Sequence, residues 1–129
     1  MTPDVSEPSA RRALIAVVDD DDSFREPLEE LLRSLDFDVE AFESGEAFLA
    51  RARRPPLDCV LVDATLPGVS GAELGRQLAE RGSHTPVIFL TGYEGAEVRK
   101  MLGPDTSYLS KPFEEEDLLS ALETALNPL

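Results

Sequence analysis

Five side chains able to do chemistry stand directly behind short apolar runs. Asp19 and Asp20 follow residues 13–18, Asp63 follows 59–62, Thr91 follows 87–90, and Lys111 follows 108–110. Gathered in one place they would make three carboxylates, a hydroxyl and an ammonium. Two like charges about 4 Å apart repel by roughly 4 kcal/mol at an effective dielectric near 20. Three carboxylates must therefore raise their pKa values or recruit a cation. Hard oxygen donors without nitrogen or sulfur suit Mg²⁺, or Mn²⁺, and Mg²⁺ retains waters and readily shares a phosphate oxygen. A point charge from Lys111 and a hydroxyl donor from Thr91 would meet phosphoryl oxygens. A carboxylate nucleophile in such company points to phosphoryl transfer onto an aspartate.

That chemistry needs elements that bring the five together. Cys59-Val60-Leu61-Val62 is too short for a helix and bounded by Pro55-Pro56 and Pro67-Gly68, which fits a strand buried on both faces. Residues 13–18 and 87–90 read the same way, and 108–110 as a short last strand. Asp38-Val39-Glu40-Ala41-Phe42 alternates polar and apolar, as an edge strand does. Between them Phe24, Leu28, Leu31, Leu32 and Leu35 form a helical stripe behind a Ser23/Glu26 capping box, with Pro27 in or near the first turn. A short helix begins at Ser44 and ends before Pro55. Another opens on a Ser70/Glu73 capping box, carries Leu74 and Leu78, and stops at Gly82. Residues 96–102 allow about two turns before Gly103-Pro104, and Leu118, Leu119, Leu122, Ala125 and Leu126 mark a closing helix. Strand and helix alternate five times, the pattern of a parallel sheet covered by helices on both faces. In such a sheet the strand carboxyl ends open on one edge, where ligands bind.

With 129 residues the chain suits one domain, residues 12–126, behind a disordered tail at 1–11 containing Pro3 and Pro8. A net charge of −14 disfavours direct nucleic-acid binding. The longest apolar run, 13–18, cannot span a bilayer, and no signal peptide precedes it, so no membrane role and a cytoplasmic location are expected. Lone Cys59 reads as a small buried hydrophobe. His84 and the basic trio Arg51, Arg53 and Arg54 read as solvated surface, and Asp21 and Asp22 as charges favoured by a helix N-terminus, with Asp22 or Ser23 as its cap.

The chain resembles the receiver domain of bacterial response regulators, the CheY-like superfamily, from about Arg12 to Leu126. Val18-Asp19-Asp20-Asp21 is similar to that family's acidic metal motif, and Asp63 with Leu66-Pro67-Gly68 to its phosphoacceptor loop. Phe89-Leu90-Thr91-Gly92 and Tyr108-Leu109-Ser110-Lys111-Pro112-Phe113 resemble its switch strands. The resemblance implies strand order 2-1-3-4-5 and a phosphorylation-activated switch, not an enzyme acting on other molecules. It implies that Asp63 accepts phosphate from a histidine kinase or phosphotransfer protein and that Asp19, Asp20, Asp63 and the Thr65 carbonyl hold Mg²⁺. Lys111 would pair first with Asp63 and then with the phosphoryl group, across a cis Lys111–Pro112 bond. Thr91 and Tyr108 would relay the change to a downstream target protein, with the chain a monomer or weak dimer.

The stretch between Thr91 and Tyr108 is shorter than receivers usually have, so the fourth helix is expected to be short or irregular. Bulky Tyr93 is expected to shield an acyl phosphate from water and slow its loss. Three rivals fit less well. A receiver-like adaptor that takes no phosphate has no use for Asp63, Thr91 and Lys111 together. A haloacid-dehalogenase-like phosphatase wants an aspartate where Thr65 stands, and a flavin-binding fold would not put an acidic run against a phosphate.

Overall fold

Side-chain alternation along the central strands decides the layering. The computed structural model describes residues 12–51, 56–92, 97, 98, 100 and 107–127. Its strands are β1 (Leu14–Val18), β2 (Asp38–Phe42), β3 (Cys59–Asp63), β4 (Val87–Thr91) and β5 (Tyr108–Ser110). Its helices are α1 (Asp22–Ser34), α2 (Gly45–Leu49), α3 (Gly71–Glu80) and the closing α4 (Glu115–Leu126). Every strand pair is parallel, in the order β2-β1-β3-β4-β5, the expected 2-1-3-4-5. The polar-apolar alternation of β2 fits its place at one edge.

Ile15, Val17, Cys59, Leu61, Ile88 and Leu90 face one side and meet Leu28 and Leu32 of α1 with Leu118 and Leu122 of α4. Ala16, Val18, Val60, Val62 and Phe89 face the other and meet Phe48 of α2 and Leu74 of α3. All five residues of β3 are buried, so the strand that carries Asp63 is wetted on neither face. Fully burying one such aliphatic side chain contributes about 1.5–3 kcal/mol. The strand ends are thus held by a two-sided core.

Cys59 belongs to that core. It has no exposed surface, and burial, with the nearby Asp58 charge, pushes its thiol up to about 12. The thiolate is the reactive form. Iodoacetamide should therefore leave native protein unmodified at neutral pH and alkylate it fully in guanidinium. Rapid native alkylation, read by mass, would mean that β3 opens without global unfolding.

Several local details differ from the sequence reading. The α1 cap is Asp21, whose Oδ1 accepts from the Ser23 backbone N–H at 3.0 Å and from the Ser23 hydroxyl at 2.7 Å. The helix thus starts ahead of the Ser23/Glu26 box, because the backbone is extended at Asp21 and the Ser23 hydroxyl is spent on the Asp21 carboxylate. Pro27 then lies inside the helix, beyond its first turn. Arg51 is not solvated: its Nε donates to Glu40 Oε1 at 2.7 Å and its side chain is 13% exposed. Ser44 and Ser70 cap α2 and α3, but the Glu73 carboxylate takes Arg76 and Gln77 instead of closing a box on Ser70, and Gly82 takes φ +78 just past α3. The tail at 1–11, Arg53, Arg54 and Tyr93 lie outside the described residues. Between Thr91 and Tyr108, Glu97, Val98 and Lys100 are helical. No described helix is long and apolar enough to cross a membrane.

Candidate functional site

The carboxyl ends of β1 and β3 are neighbours because the two strands pair in register from Ile15–Cys59 to Val18–Val62. The chain leaves β1 through Asp19 and Asp20 and β3 at Asp63, so the acids meet without further folding. Ligand oxygens from Asp19, Asp20 and Asp63 all lie within 4.8 Å of one another. Asp19 is wholly buried, Asp63 is buried and Asp20 is exposed.

Each buried acid is held. Asp19 Oδ1 accepts from the Asp21 N–H at 2.9 Å, and its Oδ2 accepts from Lys111 Nζ at 2.9 Å. Burial pushes the Asp19 carboxyl above its ordinary value. The hydrogen bond from Asp21 and the Lys111 ammonium pull it back, and the Asp63 charge adds to the rise. Asp63 Oδ1 accepts from both the N–H and the hydroxyl of Thr65, at 3.0 and 3.1 Å. Its Oδ2 lies 3.6 Å from Lys111 Nζ. The ammonium therefore spans both carboxylates and sits closer to Asp19, whereas the resemblance implies that it pairs first with Asp63. The fully buried anion, stripped of water, draws it more strongly than the partly wetted one.

Removing this cation would leave Asp19 buried without its counter-ion. Losing one partner of a fully buried pair typically costs about 3–5 kcal/mol, and less where water reaches the partner. Lys111 is 22% exposed at its side chain. In EDTA, Lys111→Met should lower stability by about 1–3 kcal/mol in urea unfolding. An unchanged midpoint would show the pair to be energetically idle.

The β4 and β5 ends complete the edge. Thr91 is 2% exposed and pairs in register with Ser110, and its carbonyl accepts from the Lys111 N–H at 2.7 Å. Strand alternation puts Thr91 on the same side as Phe89, where half-buried Tyr108 also packs, and Phe89 pairs with Tyr108. The Lys111–Pro112 peptide is cis.

Loop and helix contacts supply details that spacing did not announce. Arg25 of α1 donates from Nη1 to the Asp19 carbonyl at 2.8 Å, clamping the acidic turn. Asp58 Oδ2 accepts from the Leu14 N–H at 2.8 Å, tying the start of β1 to β3. Glu46 Oε2 accepts from the Val69 N–H at 3.3 Å, tethering the loop after Asp63 to α2. Gly71 packs against the Asp63 carbonyl and the Ala64 Cα. No family of spacings marks Arg25, Asp58 or Glu46, because each acts on backbone that only the fold brings near.

Residues 15–123 match the profile of the response regulator receiver domain. The chain belongs to that family. Receivers are the signalling switches of two-component systems, and this one is 36% identical over 120 residues to the response regulator protein TodT of Pseudomonas putida. That match covers 92% of this chain and 53% of TodT, so the chain spans about half the length of the curated relatives it matches. Among solved structures, the BeF3-activated DrrB receiver domain is 34% identical with a TM-score of 0.76, covering 90% of this chain and 98% of that one. The Vibrio cholerae chemotaxis protein CheY4 is 28% identical with a TM-score of 0.81, covering 90% and 100%. The CheY-like architecture read from the sequence is therefore the observed one.

Receivers generally bind Mg²⁺, and the residues of this one fit such an ion. Its cluster offers oxygen donors alone, and exposed Asp20 can present its carboxylate without breaking a buried bond.

Proposed function

We propose that this receiver takes a phosphoryl group onto Asp63 from the phosphohistidine of a histidine kinase or phosphotransfer protein. The observation that carries the reading is the convergence of Asp19, Asp20 and Asp63 oxygens within 4.8 Å, with the Lys111 ammonium 3.6 Å from Asp63 Oδ2. An Asp63 oxygen attacks phosphorus, the donor's P–N bond breaks, and the imidazole leaves with the bonding electron pair and is protonated. Asp19, Asp20, Asp63 and the Thr65 carbonyl would hold Mg²⁺, which when bound supplies positive charge to the phosphoryl oxygens. The N–H and hydroxyl of Thr65 orient the acceptor carboxylate. Lys111 supplies the second positive charge.

Phosphorylation adds roughly −1.5 to −2 charges at this edge. Thr91 and Lys111 reorganise around them, and Tyr108 follows through Phe89, shifting a pre-existing equilibrium of the β4–β5 side toward the form a downstream protein recognises. This receiver works in the cytoplasm as a monomer or weak dimer, changing only its own phosphorylation, without contacting membrane or nucleic acid itself. Tyr93 would slow hydrolysis of the acyl phosphate.

The test is incubation with acetyl phosphate and Mg²⁺, followed by intact mass. One phosphoryl group per chain is expected, and none when EDTA replaces Mg²⁺. An unmodified mass with Mg²⁺ present would overturn the reading.

A further inference from the structure

The ammonium of Lys111 has a third neighbour that no charge pairing requires. It lies 4.2 Å from the centroid of the Phe24 ring, over the face of that ring. Phe24 is in the first turn of α1, three residues beyond the Asp21 cap. Its ring meets Phe113 edge-on, with centroids 5.9 Å apart and planes at 85°. The segment Lys111-Pro112-Phe113 thus delivers both the ammonium and an aromatic that braces the ring beneath it.

We propose that Phe24 is a positioning residue: its π face seats the Lys111 ammonium between Asp19 and Asp63, so that the cation is already placed when a phosphoryl group arrives. The inference rests on the reading of Asp63 as acceptor.

A lysine stem places its charge poorly on its own. Four rotatable carbons make the ammonium a wandering point charge unless something besides Coulomb attraction fixes it. Two carboxylates attract it from nearly any direction, but a ring face attracts it along one axis only. Asp19 at 2.9 Å, Asp63 at 3.6 Å and the ring at 4.2 Å together define one seat. With the ring gone, the two acids still hold a cation but no longer its direction, and the side chain, 22% exposed, samples solvent. Placement of a charge before the reaction is what such a site contributes to rate. Phe24 also packs on the α1–α4 side of the core, so a plain deletion would mix two effects. The electronic content of the ring must be varied at constant shape.

Phe24 is therefore replaced by phenylalanines carrying one, two and three ring fluorines, with Phe24→Leu as the endpoint. The readouts are the rate of phosphorylation by acetyl phosphate at saturating Mg²⁺ and the ring-current shift of the Lys111 ε-methylene protons. Rates should fall stepwise with fluorine count and reach about a threefold to tenfold loss in the leucine variant. The upfield shift should be present in the unmodified protein, shrink along the series and vanish with leucine. A flat rate across the fluorinated series, a leucine variant as fast as the parent, or an unshifted Lys111 methylene would overturn the proposal. If the unmodified protein takes up no phosphoryl group, the functional reading fails, and the shift series alone decides the seat.

Discussion

Asp63→Asn is expected to abolish phosphoryl uptake from acetyl phosphate completely and to leave the fold intact. An amide oxygen at neutral pH is a poor nucleophile, so no partial rate should survive. The structural cost is small for three reasons. Asparagine keeps the oxygen that accepts from the Thr65 N–H and hydroxyl. It removes a charge whose repulsion contributes to the raised pKa of Asp19. Lys111 retains its closer partner, at 2.9 Å. Intact mass and thermal melting check both halves together: no mass gain, and a Tm within a few degrees of the parent. A variant that still gains one phosphoryl group would place the acceptor elsewhere.

Gly71→Ala should be the most damaging glycine-to-alanine change among the described residues. A Cβ there would collide with the Asp63 carbonyl oxygen and stand 2.8 Å from the Ala64 Cα and 3.0 Å from the Asp63 carbonyl carbon. These are backbone atoms at the end of a fully buried strand, and the Ala64 N–H is committed to the Leu90 carbonyl at 2.9 Å. Neither side can turn a rotamer to make room. Either α3 lifts from the sheet or the Asp63 turn moves, and both routes cost about 3 kcal/mol, the upper range for overpacking. For a domain of this size that corresponds to a Tm lower by roughly 10 °C. Because the displaced turn carries Asp63, phosphorylation should slow as well. Gly92→Ala is the control, since among the described residues nothing lies within 4 Å of a Cβ there. Equal melting of the two variants would refute the packing argument.

These two variants also mark what the sequence makes legible. Short apolar runs ending in a carboxylate, a threonine or a lysine reveal both the parallel sheet and the edge where its polar residues gather. Strand periodicity and strand-end chemistry are local properties. The α1 start is misjudged because Asp21 and Ser23 both suit a cap, and only the surrounding backbone selects between them. Arg51 reads as solvated because its partner, Glu40, lies on a strand eleven residues earlier. The tilt of Lys111 toward Asp19 and its seat on Phe24 depend on burial and ring orientation, which no spacing encodes. What spacing predicts is which groups share an edge, and what folding adds is the order of their distances.

The most direct measurement locates the phosphoryl group on one carboxylate. Protein treated with acetyl phosphate and Mg²⁺ is reduced with borohydride, which converts an acyl phosphate to the alcohol, and its peptides are sequenced by mass spectrometry. The expected result is reduction at Asp63 alone. Reduction at Asp19 or Asp20 instead, or at no aspartate in a chain that has gained phosphate, would contradict it.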